Sequence, residues 1–200
     1  MQTISRILFA IANSLLIPDI VLLVAFFVWA LILLGFTYGL HMTRRRTQAL
    51  LGNAIRDLRP DGLAHLRDLL PKKGELRLTT YLADLLSHGH DPDYAEWLLN
   101  RYETDATKEI NVSRLLAKMG PVLGLMGTLI SMSPALVGLS SGDISGMAYN
   151  MQVVFATTVV GLVISMAGLF TQQVRQRWAA QDLNDLERVA RVMQQKGGQA

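Results

Sequence analysis

The chain has 200 residues, of which 50% are hydrophobic and 18% charged, and its formal net charge at pH 7 is +3. Its positive mean hydropathy indicates a membrane protein with a modest soluble part. The lack of cysteine excludes disulfides and thiolate metal sites, and basic residues clustered beside apolar runs favour membrane topology over nucleic-acid binding.

Residues 1–17 are mostly apolar and include a single charged residue and a few polar ones. The apolar run is too short for the core of a secretory signal. We predict an interfacial helix that lies on the outer face of the membrane, in contact with lipid headgroups. Pro18 and Asp19 are expected to end this helix.

Residues 18–42 predict the first transmembrane helix, because the run from Ile20 to Leu40 is nearly free of polar residues. A span takes about 20 apolar residues. Positive charge favours the inner side of a membrane, so we predict an outer N-terminus and a cytoplasmic segment after the span. The basic cluster that marks this side is Arg44, Arg45 and Arg46.

Residues 43–117 predict a helical cytoplasmic domain, since leucines recur at helical spacing between Pro- and Gly-containing turns. Its core is thin, so contacts with neighbouring copies are expected. Asp91 and Pro92 form a helix start, and without Gly or Pro before Gly120 this helix should continue into the second span. His88 and His90 flank a loop glycine without further ligands, and we expect no metal there.

Two further spans are predicted at 118–140 and 147–173, joined by an outer loop at 141–146. Between Lys118 and Arg175 the only charged residue is Asp143. Residues 174–200 predict a cytoplasmic C-terminal helix, and the basic residues Arg175 and Arg177 that begin it agree with an inner C-terminus. A proline at position 134 predicts either a tolerated kink or a hinge in the second span.

Small and hydroxyl residues share one face in each of these two spans. Such faces allow close packing of helices, inside one chain or between subunits, and the hydroxyls could alternatively line a polar path. Both interpretations stay open from the pattern alone. The first face comprises Gly120, Gly124, Gly127, Ser131, Ala135 and Gly138, with Thr128 at its edge. The second comprises Asn150, Thr157, Gly161, Ser165, Gly168 and Gln172, with Thr158 beside it.

Two segments of these spans, GPVLGLMGTL and FATTVVGLVIS, resemble the MotA/TolQ/ExbB proton channel family. The resemblance covers roughly residues 118–170 and is closer to the three-span TolQ and ExbB members. It implies an all-α integral membrane fold of three transmembrane helices. The matching positions are Gly124, Leu125, Gly127 and Thr128 in the second span, and Thr158, Gly161 and Leu162 in the third.

The chain departs from the family pattern at two places in the third span. Val153 stands where ExbB-like chains often have an acidic residue, and Ser165, Met166 and Ala167 stand where they tend to have a proline. The first departure leaves no ionisable group in the core of the second or third span. Any proton carrier would therefore have to come from another chain.

The resemblance implies a subunit of a proton-driven membrane motor in a bacterial or archaeal cytoplasmic membrane, with protons or sodium as the ion. Family members form homo-oligomers, typically pentamers, around a dimer of a single-span partner of the ExbD/TolR/MotB type. Thr128 and Thr158 would then face the titratable Asp of that partner, with Thr157, Asn150 and Ser131 along the same path. No metal, cofactor or nucleic acid is implied.

An alternative function is a non-conducting oligomeric scaffold, which recruits partners through its cytoplasmic helices. A self-contained transporter fits less well, because three spans carry no inverted repeat. An enzyme is not expected, because no nucleophile–base pair or phosphate-binding loop stands out.

Overall fold

The computed structural model describes residues 2–59, 62–70 and 76–197. Within these ranges the chain is helical and contains no strand. The last three residues of the predicted C-terminal helix lie outside the described residues. The helices are α1 (Gln2–Ser14), α2 (Leu16–Arg56), α3 (Leu63–Asp68), α4 (Arg77–His88), α5 (Pro92–Ser141) and α6 (Ile144–Gly197).

Three helices, α2, α5 and α6, are long and apolar enough to cross a membrane. This confirms the predicted all-α fold with three membrane helices, while the direction in which they cross stays a prediction. The helix that starts at Pro92 continues without interruption through the second span and through Pro134, and the hinge at that proline remains a hypothesis.

The start of α2 differs from the expected helix break. The break lies at Leu15, and α2 begins at Leu16 with Pro18 and Asp19 in its first turn. Proline is tolerated there because the first-turn N–H groups have no partner within the helix. The preceding helix, α1, exposes an apolar stripe of the kind that interfacial helices present to lipid: Ile4, Ile7, Leu8 and Ile11.

The connection between α5 and α6 is two residues long, shorter than the predicted loop at 141–146. Gly142 has φ +77°, and the N–H of Asp143 donates to the carbonyl of Gly138 at 2.9 Å. These are the features of a Schellman helix end, which favours glycine at the left-handed position. Asp143 then caps α6, because its Oδ1 accepts the N–H of Gly146 at 2.9 Å.

Changing Gly142 to alanine is expected to lower the free energy of unfolding by about 1–2 kcal/mol, the cost of a left-handed backbone for a residue with a Cβ. Apart from its chain neighbours, no atom of the described residues lies within 4 Å of an added Cβ, so the effect is conformational and not steric. Unfolding in mixed detergent micelles, followed by circular dichroism, measures it. Gly142→Asn should cost less, because asparagine tolerates this conformation, and an equal loss for both variants would contradict the explanation.

The chain forms two compact units, each of which contains segments of α2, α5 and α6. Unit 1 comprises Met1–Gly35 and Val112–Gln172 and holds most of the apolar part of the three spans. Its buried cluster draws side chains from all three helices: Leu23, Ala30 and Leu33 from α2, Leu116 and Leu123 from α5, and Ile164 and Ala167 from α6.

Unit 2 comprises Phe36–Asn111 and Gln173–Ala200. Most of the leucines that recur at helical spacing in the predicted soluble domain are buried or partly buried here, and the C-terminal part of α6 packs among them. This segment supplies part of a core that residues 43–117 would form only thinly by themselves. Central members of the cluster are Leu51, Ile55, Leu82, Leu85, Leu98, Tyr102, Leu186, Val189 and Met193.

A buried ion pair joins α2 to α6 inside unit 2. Arg44 pairs with Asp182, and its Nη1 lies 2.9 Å from Asp182 Oδ2. Tyr102 of α5 donates its hydroxyl to the same oxygen at 2.9 Å. Burial raises the pKa of Tyr102, and the charge of Asp182 raises it further, so the hydroxyl stays protonated and remains a donor.

Candidate functional site

The glycine faces of α5 and α6 pack against each other within one chain. A Cβ built on Gly120 would lie 2.5 Å from the carbonyl oxygen of Gly161, and one built on Gly161 would lie 2.5 Å from that of Gly120. A Cβ on Gly168 would lie 2.5 Å from the amide nitrogen of Ala117. These contacts are between backbones, so the two helices can approach this closely only with glycine at these positions.

The remaining glycines of the face contact side chains or the hairpin turn. A Cβ on Gly127 would lie 2.8 Å from the Cβ of Thr157, whereas one on Gly124 would lie 3.1 Å from the carbonyl of Thr157. At Gly138 the nearest atoms, at 3.2 Å, are backbone atoms of Asp143 and Met147. Thr157 is therefore buried against Gly127, and its hydroxyl donates to the Val153 carbonyl at 3.0 Å.

Thr128 and Thr158 lie at the edge of this helix contact and are half-buried. Their hydroxyls donate to carbonyls of their own helices, Leu125 at 2.7 Å and Val154 at 2.9 Å. At 100° per residue, Thr128 lies roughly 140° around α5 from Leu123, and Thr158 lies roughly 180° around α6 from Ala167. Since Leu123 and Ala167 belong to the cluster with α2, both threonines face away from α2.

The other predicted polar residues differ in how their hydrogen bonds are satisfied. Asn150 is half-buried and donates its side-chain amide to the Gly146 carbonyl at 2.8 Å. The hydroxyl of Ser165 in α6 donates a hydrogen bond to the Ala117 carbonyl of α5 at 2.9 Å. Ser165 is therefore a packing contact between the two helices. Ser131 is fully buried, and among the described residues its hydroxyl has no partner.

Asp19 is a buried carboxylate that the sequence interpretation missed. It is 2% exposed in the first turn of α2, and neither of its oxygens has a hydrogen-bond partner within the described part of the chain. Its position inside the predicted span 18–42 was the available signal, since an acidic residue in a span is costly and marks a functional site by default. The sequence interpretation used it only as a helix break.

The five arginines predicted to mark the inner side fall into two groups. Arg44 and Arg175 are buried within unit 2. Arg45 and Arg177 are exposed, as expected for residues whose charge indicates the inner side of the membrane. The side chain of Arg46 lies outside the described residues. Membrane topology alone therefore does not account for Arg44 and Arg175.

The hairpin residues can accept and orient hydrogen bonds but cannot carry a proton themselves. A hydroxyl that donates to a carbonyl of its own helix retains lone pairs that can accept from water or from a protonated acid. Such groups sit at the edge of the hairpin at Thr128 and Thr158, and the sequence between Lys118 and Arg175 holds no acidic or basic residue except Asp143, in the turn. The arrangement suits a polar wall beside a titrating group that lies outside the hairpin.

The sequence model of the MotA/TolQ/ExbB proton channel family matches residues 79–188. This range covers just over half of the chain and includes α5 and most of α6. Comparisons with curated proteins and with solved structures found no match.

Proposed function

The chain belongs to the MotA/TolQ/ExbB proton channel family, and from this premise we propose that it is the multi-span subunit of an ion-driven motor. In this proposal several copies, five by analogy with the family, surround a single-span partner in a cytoplasmic membrane. An Asp of the partner carries the proton. The side of the α5–α6 hairpin that holds Thr128 and Thr158 lines the path of this proton.

The observation that carries the proposal is the direction of these two threonines. They lie on the flank of the hairpin that α2 leaves uncovered, and apolar residues beside them are exposed, among them Leu125 and Leu162. A flank that combines exposed apolar side chains with hydroxyls at membrane depth suits contact with other protein chains better than contact with lipid.

The chemistry of the flank suits a neighbouring carboxylate that cycles between charged and neutral forms. Burial of a charged carboxylate is costly, and hydrogen bonds from hydroxyls or from water lower that cost. A nearby cation would hold the carboxylate permanently ionised, and a nearby anion would keep it protonated. An uncharged polar wall avoids both outcomes and lets the proton load and unload.

Changing Thr158 to valine should lower partner-dependent proton flux about tenfold or more, the effect of one lost hydrogen bond to a charged group. Flux is measured with a pH-sensitive dye in vesicles that hold the full chain and a single-span protein with an Asp in its span. Thr171→Val is the matched control, because that hydroxyl is buried and also bonds a carbonyl of its own helix, Ala167, at 2.8 Å.

Both variants should form the same oligomer as the unaltered chain, which size-exclusion chromatography with light scattering checks. Unchanged flux in Thr158→Val, or an equal loss in Thr171→Val, would contradict a pathway role for Thr158. Flux that persists without the partner and stops in Asp19→Asn would place the titrating group in this chain, and the proposal of a partner carboxylate would then fail.

One observation favours the alternative of a non-conducting scaffold. The hydroxyls of Thr128, Thr157 and Thr158 are all satisfied by carbonyls of their own helices, so none requires water or a partner. A scaffold would form the same oligomer but would show no proton flux with any single-span partner. The flux assay therefore separates the two functions, whereas counting subunits does not.

A further inference from the structure

Unit 2 contains a cavity of about 220 Å³ that the proposed motor function does not use. Arg44 and Leu40 of α2, Tyr102 and Glu109 of α5 and Arg175 of α6 contribute to its lining. One buried water molecule needs roughly 10–15 Å³ of such space, so the cavity is large enough for a solvated ligand. Its walls combine apolar side chains with buried charges.

The charged groups on the cavity wall do not balance. Arg44 pairs with Asp182, and Arg77 of α4 pairs with Glu109. These two pairs leave Arg175 as the fifth charged residue of the lining. Among the described residues of the lining, positive charges therefore exceed negative charges by one.

Arg175 itself is incompletely satisfied. It is 9% exposed, and within the described residues its Nε has no hydrogen-bond partner. Its Nη1 donates to the backbone carbonyl of Glu109 over a long 3.4 Å, and its guanidinium lies 5.9 Å from the ring centroid of Phe36. The carboxylate of Glu109 favours the charge of Arg175 but is already paired with Arg77. The buried guanidinium is therefore only partly compensated, which is costly, and its fork of donors matches the oxygens of a phosphate.

We propose that this cavity binds a phosphate group, with Arg175 as its principal donor. The phosphate belongs either to the headgroup of an anionic phospholipid or to a free phosphate ion. The lipid source is consistent with the position of the site, because Phe36 and Leu40 line it at the end of the apolar run of α2. Basic pockets at such positions in membrane proteins accept anionic headgroups. This site is separate from the threonines of the hairpin.

The test compares the full chain with Arg175→Gln and Arg177→Gln, all purified in neutral detergent. Arg177 is the matched control, because it lies two residues away on the same helix but is exposed and absent from the cavity wall. Phosphatidylglycerol and phosphatidylcholine are added as mixed micelles in separate arms, and inorganic phosphate is added in a third. Binding is read from the shift in melting temperature and from native mass spectrometry.

Phosphatidylglycerol should raise the melting temperature and remain bound in the mass spectrum, whereas phosphatidylcholine should not. Arg175→Gln should weaken this binding at least about tenfold, as expected for a lost charge-assisted hydrogen bond, and Arg177→Gln should leave it unchanged. A response to inorganic phosphate with the same dependence on Arg175 supports the proposal with a free ion as the source.

A folded Arg175→Lys variant keeps the charge without the planar fork, and partial retention of binding would support a charge-assisted contact. If neither phosphate source binds the unaltered chain, the proposal is wrong. Equal losses in Arg175→Gln and Arg177→Gln would also overturn it, because surface charge alone would then explain the binding. None of these measurements requires proton flux or a partner, so this proposal and the motor function fail independently.

Discussion

Replacing Gly161 with alanine is expected to destabilise the α5–α6 hairpin by about 2–3 kcal/mol, within the range observed for overpacked sites. The added Cβ would meet the Gly120 carbonyl oxygen at 2.5 Å and the Gly124 Cα at 2.9 Å. Both atoms belong to the backbone of α5, so relief requires separation of the helices along the whole contact. The free energy of unfolding in mixed micelles, measured by circular dichroism, reports the loss.

Gly35→Ala is the matched control, because Gly35 lies in α2 and an added Cβ there meets nothing within 4 Å. That variant should be neutral or more stable by about 0.5–1 kcal/mol, since alanine is the better helix former. Gly124→Ala should fall between the two, because its nearest contacts begin at 3.1 Å. Similar stability for Gly161→Ala and Gly35→Ala would show that the close helix contact is not formed.

Replacing Asp182 with alanine should lower the free energy of unfolding by about 3–5 kcal/mol, the cost of removing one partner from a buried ion pair. The variant leaves the buried guanidinium of Arg44 without its carboxylate, and the hydroxyl of Tyr102 without its acceptor. The same unfolding measurement applies. Glu187→Ala is the control, because its pair with Arg191 is exposed and such pairs contribute about 0–1 kcal/mol.

A double variant tests the cause of this loss. If the penalty comes from the uncompensated charge of Arg44, then Arg44→Met combined with Asp182→Leu should be more stable than Asp182→Ala alone. Apolar replacement of a whole buried pair is often close to neutral. A double variant no more stable than Asp182→Ala would show that the uncompensated charge of Arg44 is not the cause of the loss.

The sequence was sufficient to predict the features that depend on local pattern. Three apolar runs predicted the three membrane helices, and the Asp91–Pro92 start of α5 was recognisable because capping chemistry is local. The structure has this start, with the N–H of Asp93 donating to Asp91 Oδ1 at 3.1 Å. The family was recognisable for the same reason, since its motifs are short segments inside two helices.

The features that the sequence did not reveal depend on which segments meet. Arg44 and Asp182 are separated by 138 positions, so no local pattern indicated that they pair, and Arg44 was interpreted only as a topology mark. The periodicity of the glycines identified a close-packed face but not whether its partner lay in the same chain. Asp19 had a local signal, but Pro18 beside it favoured interpretation as a helix break.

The close backbone contacts that Gly120, Gly161 and Gly168 allow between α5 and α6 also constrain how force could arise in the proposed motor. Helices whose main chains touch, and whose ends are joined by two residues, cannot slide past each other without losing the whole contact. In unit 1, α5 and α6 should therefore shift as a single rigid body. In the motor proposed above, a mechanical stroke driven by ion passage would then occur at the boundaries between subunits, where hairpins tilt or rotate against their neighbours.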